Sequence, residues 1–210
     1  MYTDLKEECL LVVDVQNDFC PGGALPVPEG HLIVPVINRI MGRFGTVAAT
    51  QDWHPPDHVS FASNHPGKQP FDMVQVDGIE QVLWPDHCVQ GTSGAALHPD
   101  LDRRGLHLIL RKGMHSNLDS YSAFFENDQR TPTGFNGYLR EHGVRRVFLC
   151  GLAADVCVYY SALDAVRLGF DAMVIEDAVR GVDVPPGNVN RTRKEMEKAG
   201  ITFLGSSVMG

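Results

Sequence analysis

The run LLVVDV, Leu10 to Val15, reads as a strand buried on both faces. It is short, rich in Leu and Val, and apolar at consecutive rather than alternate positions, as strands inside a parallel sheet are. Similar runs recur at Thr46 to Thr50, Leu106 to Leu110, Arg146 to Leu152, Ala172 to Ile175 and Thr202 to Leu204. Longer amphipathic stretches separate them. Apolar residues at Leu32, Val36, Ile40 and Phe44 repeat every four positions, which predicts a helix over His31 to Phe44 that Gly45 stops. Further helices are predicted near Asn136 to Glu141, Asp155 to Leu168 and Asn188 to Lys198. The alternation implies βαβ units: a single domain over residues 1–210, three-layer αβα and Rossmann-like, with a six-stranded parallel sheet.

Two stretches fall outside this pattern, Asp52 to Asp102 and Gly113 to Thr133. Both are long, weakly periodic and rich in Pro, Gly, His and Asn, yet they contain Trp53, Phe61, Trp84 and Tyr121. Loops of that length and composition are expected to be ordered and functional.

A chain of 210 residues buries roughly 70% of its unfolded surface, so no disulfide or structural metal is needed to hold it together. Any metal would serve function. Eighteen Lys plus Arg against 26 Asp plus Glu give a net charge of -8, which argues against nucleic acid or anionic lipid as partner. No apolar run approaches the roughly 20 residues of a membrane span. Met1 to Glu8 carries acids where a secretory signal carries Lys or Arg, so a cytoplasmic location is expected. The five Cys are scattered without a CxxC pair, which points to free thiols rather than disulfides or a thiolate zinc site.

In an open α/β sheet, ligands sit at the carboxyl ends of the strands. The residues there are Asp14, Asp52 and His54, Lys112, the turn Gly151 to Cys157, and Asp177. Cys157 falls in the first turn of a predicted helix, where the helix dipole acidifies a thiol and unpaired N–H groups can hold an oxyanion. Cys9, Cys20, Cys88 and Cys150 lack that setting and read as buried structural residues. Asp14 ends the most apolar strand and can serve as a base; Lys112 ends HLILRK and can steady a thiolate or a carboxylate. Alone, Lys112 could be a solvated strand end, Asp14 a loop cap and Cys157 a buried structural thiol. Together, an Asp, a Lys and a Cys after three strands of one sheet form the constellation a cysteine hydrolase requires.

Asp52 and His54 project to the same side of an extended segment and can bind one cation, with His87 in WPDHC as the best third ligand. Two imidazoles and a carboxylate leave open positions on zinc, iron or manganese. Phe19, Trp84 and Tyr121 can form a flat apolar slot for a planar ligand, or simply pack beneath their loops.

These motifs carry a resemblance. DVQNDF at Asp14 to Phe19, TQDWHPPDHVSFAS at Thr50 to Ser63, WPDHCVQGT at Trp84 to Thr92, KGMHSNLDSYSAF at Lys112 to Phe124 and GLAADVCV at Gly151 to Val158 together resemble the nicotinamidases of the isochorismatase-like cysteine hydrolases. The likeness runs in order from about Cys9 to Leu204. It implies a six-stranded parallel sheet, a catalytic triad of Asp14, Lys112 and Cys157, and metal ligands Asp52, His54 and His87. It also implies a ring pocket of Phe19 and Trp84, with Tyr121. A cis peptide is implied at Leu152–Ala153, with the N–H groups of Ala153 and Cys157 facing the oxyanion. Some members use a further His as ligand; His58 lies closer to His54 than in those members and is left out of the metal set.

The implied reaction is hydrolysis of nicotinamide to nicotinate and ammonia through a Cys157 thioester, with pyrazinamide also accepted. One divalent metal, zinc first and iron or manganese as alternatives, would bind the pyridine nitrogen. Three rivals stand beside it: an amidohydrolase of the same superfamily acting on a carbamoyl or ureido compound, a true isochorismatase, and a noncatalytic ligand-binding relic. A homo-oligomer is left open.

Overall fold

A computed structural model describes residues 5–209. Met1 to Asp4, part of the N-terminal signal reading, and Gly210 lie outside the described residues. The strands are β1 (Leu5–Val13), β2 (Phe44–Asp52), β3 (Met73–Val76), β4 (Ile79–Val82), β5 (Leu108–Lys112), β6 (Arg146–Leu152), β7 (Asp171–Arg180) and β8 (Thr202–Leu204). The helices are α1 (Val34–Met41), α2 (Phe135–Glu141), α3 (Cys157–Arg167) and α4 (Asn188–Lys198).

Six strands form one parallel sheet in the order β5-β2-β1-β6-β7-β8. The chain builds outward from β1 through β2 to β5, then returns to the other side of β1 and builds outward again. The direction of winding therefore reverses between β1 and β6, and α/β sheets bind ligands at the carboxyl ends of the strands beside such a switch point. β1 alternates between two cores: Leu10 and Val12 pack with α1, whereas Leu11 and Val13 pack with α2 and α3. All four are fully buried, and each contributes roughly 1.5–3 kcal/mol by leaving water. The three-layer αβα expectation is met. Among the described residues, no helix is long and apolar enough to cross a membrane.

Two local expectations fail. The first concerns α1, which ends at Met41 and buries Val34, Ile37, Ile40 and Met41, while Leu32 is 47% exposed. The predicted stripe took its outer members from a preceding 3-10 turn, Gly30–Ile33, and from β2, which begins at Phe44. Gly45 stops nothing. It lies within β2 against β1, where an added Cβ would meet Lys6 O at 1.8 Å. The second failure is the hairpin β3–β4, an antiparallel pair inside the long 52–102 segment, where weak periodicity predicts only loop. Its signal was present: Asp77-Gly78, both at positive φ, between VQV and IEQV.

Candidate active site

Asp14, Asp52 and Lys112 stand at the carboxyl ends of β1, β2 and β5, and Cys157 opens the helix that follows β6. Sheet geometry brings all four side chains together. Lys112, 1% exposed, is the hub. Its Nζ lies 2.5 Å from Asp52 Oδ1, 3.0 Å from Asp14 Oδ2 and 3.5 Å from Cys157 Sγ, and donates to Ser120 O at 2.9 Å. The sulfur and one oxygen from each carboxylate lie within 4.8 Å of one another. Thr50 fixes Asp14 from behind: its hydroxyl donates to Asp14 Oδ1 at 2.6 Å and accepts from Asp14 N–H at 3.1 Å.

The turn before Cys157 is tightly tied. The Leu152–Ala153 peptide is cis, as expected. Ala154 N–H donates to Arg180 O at 2.7 Å, and the N–H groups of Val156 and Val158 both donate to Ala153 O at 3.1 Å. The N–H groups of Ala153 and Cys157 take no part in these bonds. Asp155 accepts from Val182 N–H, Asp183 N–H and Asn188 Nδ2, which binds the loop after β7 to this turn. Asp177, the remaining strand-end candidate, instead holds Ser206 through its N–H and hydroxyl, and belongs to the C-terminal packing.

Electrostatics correct one expectation. Burial raises the Cys157 thiol well above its ordinary pKa, and although Lys112 pulls it down, Asp14 and Asp52 push it further up. The helix N-terminus is present, but desolvation beside two carboxylates outweighs it, so the resting sulfur is a protonated thiol rather than a thiolate. Burial also pushes Asp14 up to about 6, against the pull of Lys112. Burial acts the same way on Asp52, yet Lys112 and then His54 hold it below the usual carboxylate range. The pair of carboxylates is thus split: Asp52 is fixed as an anion, while Asp14 can gain or lose a proton near neutrality.

Beside this group lies a second cluster. One donor atom from each of Asp52, His54 and His87, all buried, lies within 4.8 Å of the others. His54 Nδ1 is 2.9 Å from Gly113 O and His87 Nδ1 is 2.7 Å from Pro85 O. A carbonyl can only accept, so both Nδ1 atoms carry hydrogen, which leaves Nε2 of each ring as the atom that can meet a cation. Burial holds His87 neutral, with a pKa of about 4. Burial lowers His54 too, but Asp52 outweighs it and raises that imidazole above its ordinary pKa, so a divalent cation bound by Asp52, His54 and His87 would take the place of the His54 proton.

His58, set aside on spacing, is fully buried here with its ring 4.2 Å from that of His54. Its Nδ1 lies 2.7 Å from Ser60 Oγ, and Nε2 has no hydrogen-bond partner among the described residues. With His54 and Asp119 it forms another group of close donors. Separation along a loop is no measure of distance, and Asp119 carried no signal at all in the sequence.

A narrow cavity of about 30 Å³ touches both clusters. The expected Phe19, Trp84 and Tyr121 line it, joined by Leu25, Val156 and Val182, whose aliphatic side chains sit on loops or turns and announce no chemistry. Tyr121 OH accepts from Trp84 Nε1 and from Gln81 Nε2 of β4, each at 3.2 Å, so the hairpin braces the aromatic wall. A larger cleft of about 410 Å³ opens beside the β3–β4 turn, but neither Asp14 nor Cys157 lines it.

Residues 8–204 match a family model described as the Isochorismatase domain. A nicotinamidase/pyrazinamidase from Acinetobacter baumanii is 49% identical and superposes with a TM-score of 0.95 over 98% of this chain and 99% of that one. A PnC1 from L. infantum, solved in complex with nicotinate, is 38% identical with a TM-score of 0.86 over 98% and 96%. A pyrazinamidase from Pyrococcus horikoshii, solved in complex with zinc, is 37% identical with a TM-score of 0.77 over 95% and 99%. With the sheet, the converging Asp, Lys and Cys, and these likenesses in hand, the chain belongs to the isochorismatase-like hydrolases and stands among their nicotinamidases.

Proposed function

We propose that this protein hydrolyses nicotinamide to nicotinate and ammonia through a thioester on Cys157, and that it also accepts pyrazinamide. The observation that carries the reading is the meeting of Asp14, Lys112 and Cys157, with Cys157 lining an aromatic-walled cavity that Asp52, His54 and His87 also line. The rivals explain less. A ureido or carbamoyl amidase has no use for the His-rich flank, and ether hydrolysis by an isochorismatase has no use for the thiol.

Asp14 takes the proton from Cys157 as Sγ attacks the carboxamide carbon, which suits a base whose pKa lies at about 6 beside a neutral thiol. Lys112 stays charged and stabilises the negative charge that passes between sulfur and carboxylate. The N–H groups of Ala153 and Cys157 face the developing oxyanion. Asp14 then returns its proton to the leaving nitrogen, the C–N bond breaks, and ammonia departs. A water molecule, deprotonated by the same Asp14, attacks the thioester; nicotinate leaves and the proton returns to sulfur.

Phe19, Trp84 and Tyr121 sandwich the pyridine ring and exclude bulk water. Asp52, His54 and His87 would hold one divalent ion, zinc by preference, and that ion supplies an electron-pair acceptor for the ring nitrogen, fixing the orientation of the amide. Zinc in the Pyrococcus horikoshii pyrazinamidase supports that preference. Five free, buried thiols agree with a reducing, cytoplasmic setting. Ammonia release from nicotinamide tests the assignment: Cys157→Ala abolishes turnover while substrate binding persists, and substantial release by that variant refutes the nucleophile.

A further inference from the structure

The DVQNDF segment supplies Asp14 and Phe19 to the site, but its Gln16 is equally buried, at 0% exposure, and has no role in the chemistry above. β1 leaves the sheet after Val13, and its last pairing with β2 is Val12 to Ala49. The end of β2 therefore has no strand beside it on that side. Gln16 fills the gap with its side chain. Its Oε1 accepts from Asp52 N–H at 2.8 Å and its Nε2 donates to Asp52 O at 2.8 Å, so the amide acts as the strand residue that β1 no longer provides. Nε2 also donates to Ala95 O at 2.8 Å. Gln16 is itself anchored, since its N–H donates to Asp14 O at 2.8 Å.

We infer that Gln16 is a positioning residue for Asp52: by gripping the backbone N–H and the backbone carbonyl of that residue, it sets the carboxylate that serves Lys112 on one oxygen and the metal flank on the other. Asp52 Oδ1 lies 2.5 Å from Lys112 Nζ, and Oδ2 lies 3.6 Å from His54 Nε2. Any swing of the Asp52 backbone moves both contacts at once. The inference rests on the reading of Asp52 as a metal ligand.

Gln51 provides the control. It donates to the same Ala95 O at 2.8 Å and is also buried, but its amide makes no bond to Asp52. A residue that merely stabilised this corner would act as Gln51 does. The experiment measures the zinc affinity of the full chain by competition with a chromogenic chelator for wild type, Gln16→Met, Gln51→Met and Asp52→Ala, with circular dichroism to verify folding. Residues that orient metal ligands cost roughly 10–100-fold in affinity when removed, so Gln16→Met is expected to bind zinc at least about 10-fold more weakly, with Gln51→Met within about twofold of wild type.

Wild-type affinity in Gln16→Met, with binding lost in Asp52→Ala, overturns the inference and leaves the metal site standing. Equal losses in Gln16→Met and Gln51→Met overturn it as well, by reducing the effect to general loosening. Unchanged binding in Asp52→Ala removes the metal reading and this inference together. Should Gln16→Met not fold, Gln16→Glu takes its place under the same criteria: it keeps the acceptor for Asp52 N–H and sets a carboxylate oxygen against two carbonyls.

Discussion

At Cys157 the fold places sulfur where an anion is disfavoured, so the nucleophile must be made during the reaction rather than stored. That assigns the pH dependence to Asp14. As the proposed base it acts ionised, and burial has raised its pKa to about 6; kcat/KM for nicotinamide is therefore expected to fall as pH drops through about 6, a point well above the ordinary carboxylate range. A pH–rate profile checks this, and a profile flat down to pH of about 5 would remove Asp14 as the base. Asp14→Asn should lower kcat by roughly 10²–10⁴-fold, the usual worth of a general base. Lys112 has a different signature. Replacing it with Met leaves two buried carboxylates without their cation, which costs about 3–5 kcal/mol and should appear in urea denaturation as well as in turnover. These residues were legible in the sequence because each ends or follows a recognisable strand. Leu25 and Val182 were not, and spacing sets His58 aside, since loop residues acquire their neighbours only through the path of the whole loop.

The strands and helices were mostly legible, and their errors have physical causes. Consecutive aliphatic residues in β1 announced burial on both faces, and the register agrees, with odd and even positions serving different cores. The α1 stripe misled because residues of a 3-10 turn and of a strand happened to continue the spacing of four. One element-scale feature that pattern could not reveal is the close approach of β6 to β1 at the switch point. Gly151 has φ 112 there, and a Cβ added to it would meet Val13 O at 2.1 Å. No side chain fits against that carbonyl without separating the two strands, and these are the strands that deliver Asp14 and Cys157. Gly151→Ala is accordingly expected to melt well below wild type and to lose activity even at temperatures where it remains folded. Thermal denaturation followed beside an amidase assay checks both parts; wild-type turnover in a folded Gly151→Ala would show that the approach is not needed.

Across the whole molecule, the sheet joins two chemical devices through one residue: Asp52 is the partner of Lys112 and also the carboxylate of the cation flank. Removing a bound cation does not strand that carboxylate, because Lys112 still neutralises it. The fold should therefore survive chelation, with secondary structure by circular dichroism unchanged and the melting temperature lowered only by the lost binding energy. Activity should separate into its two parts. An ion that orients the ring contributes equally to the bound substrate and to the transition state, so its loss raises KM by roughly 10-fold or more while kcat stays within about threefold. Loss of the thiol does the reverse, abolishing kcat while nicotinamide still binds. Steady-state kinetics on chelated protein, repeated after zinc is restored, distinguishes these outcomes. A fall in kcat at unchanged KM would place the cation in bond making and would require the roles of Asp52 to be assigned afresh.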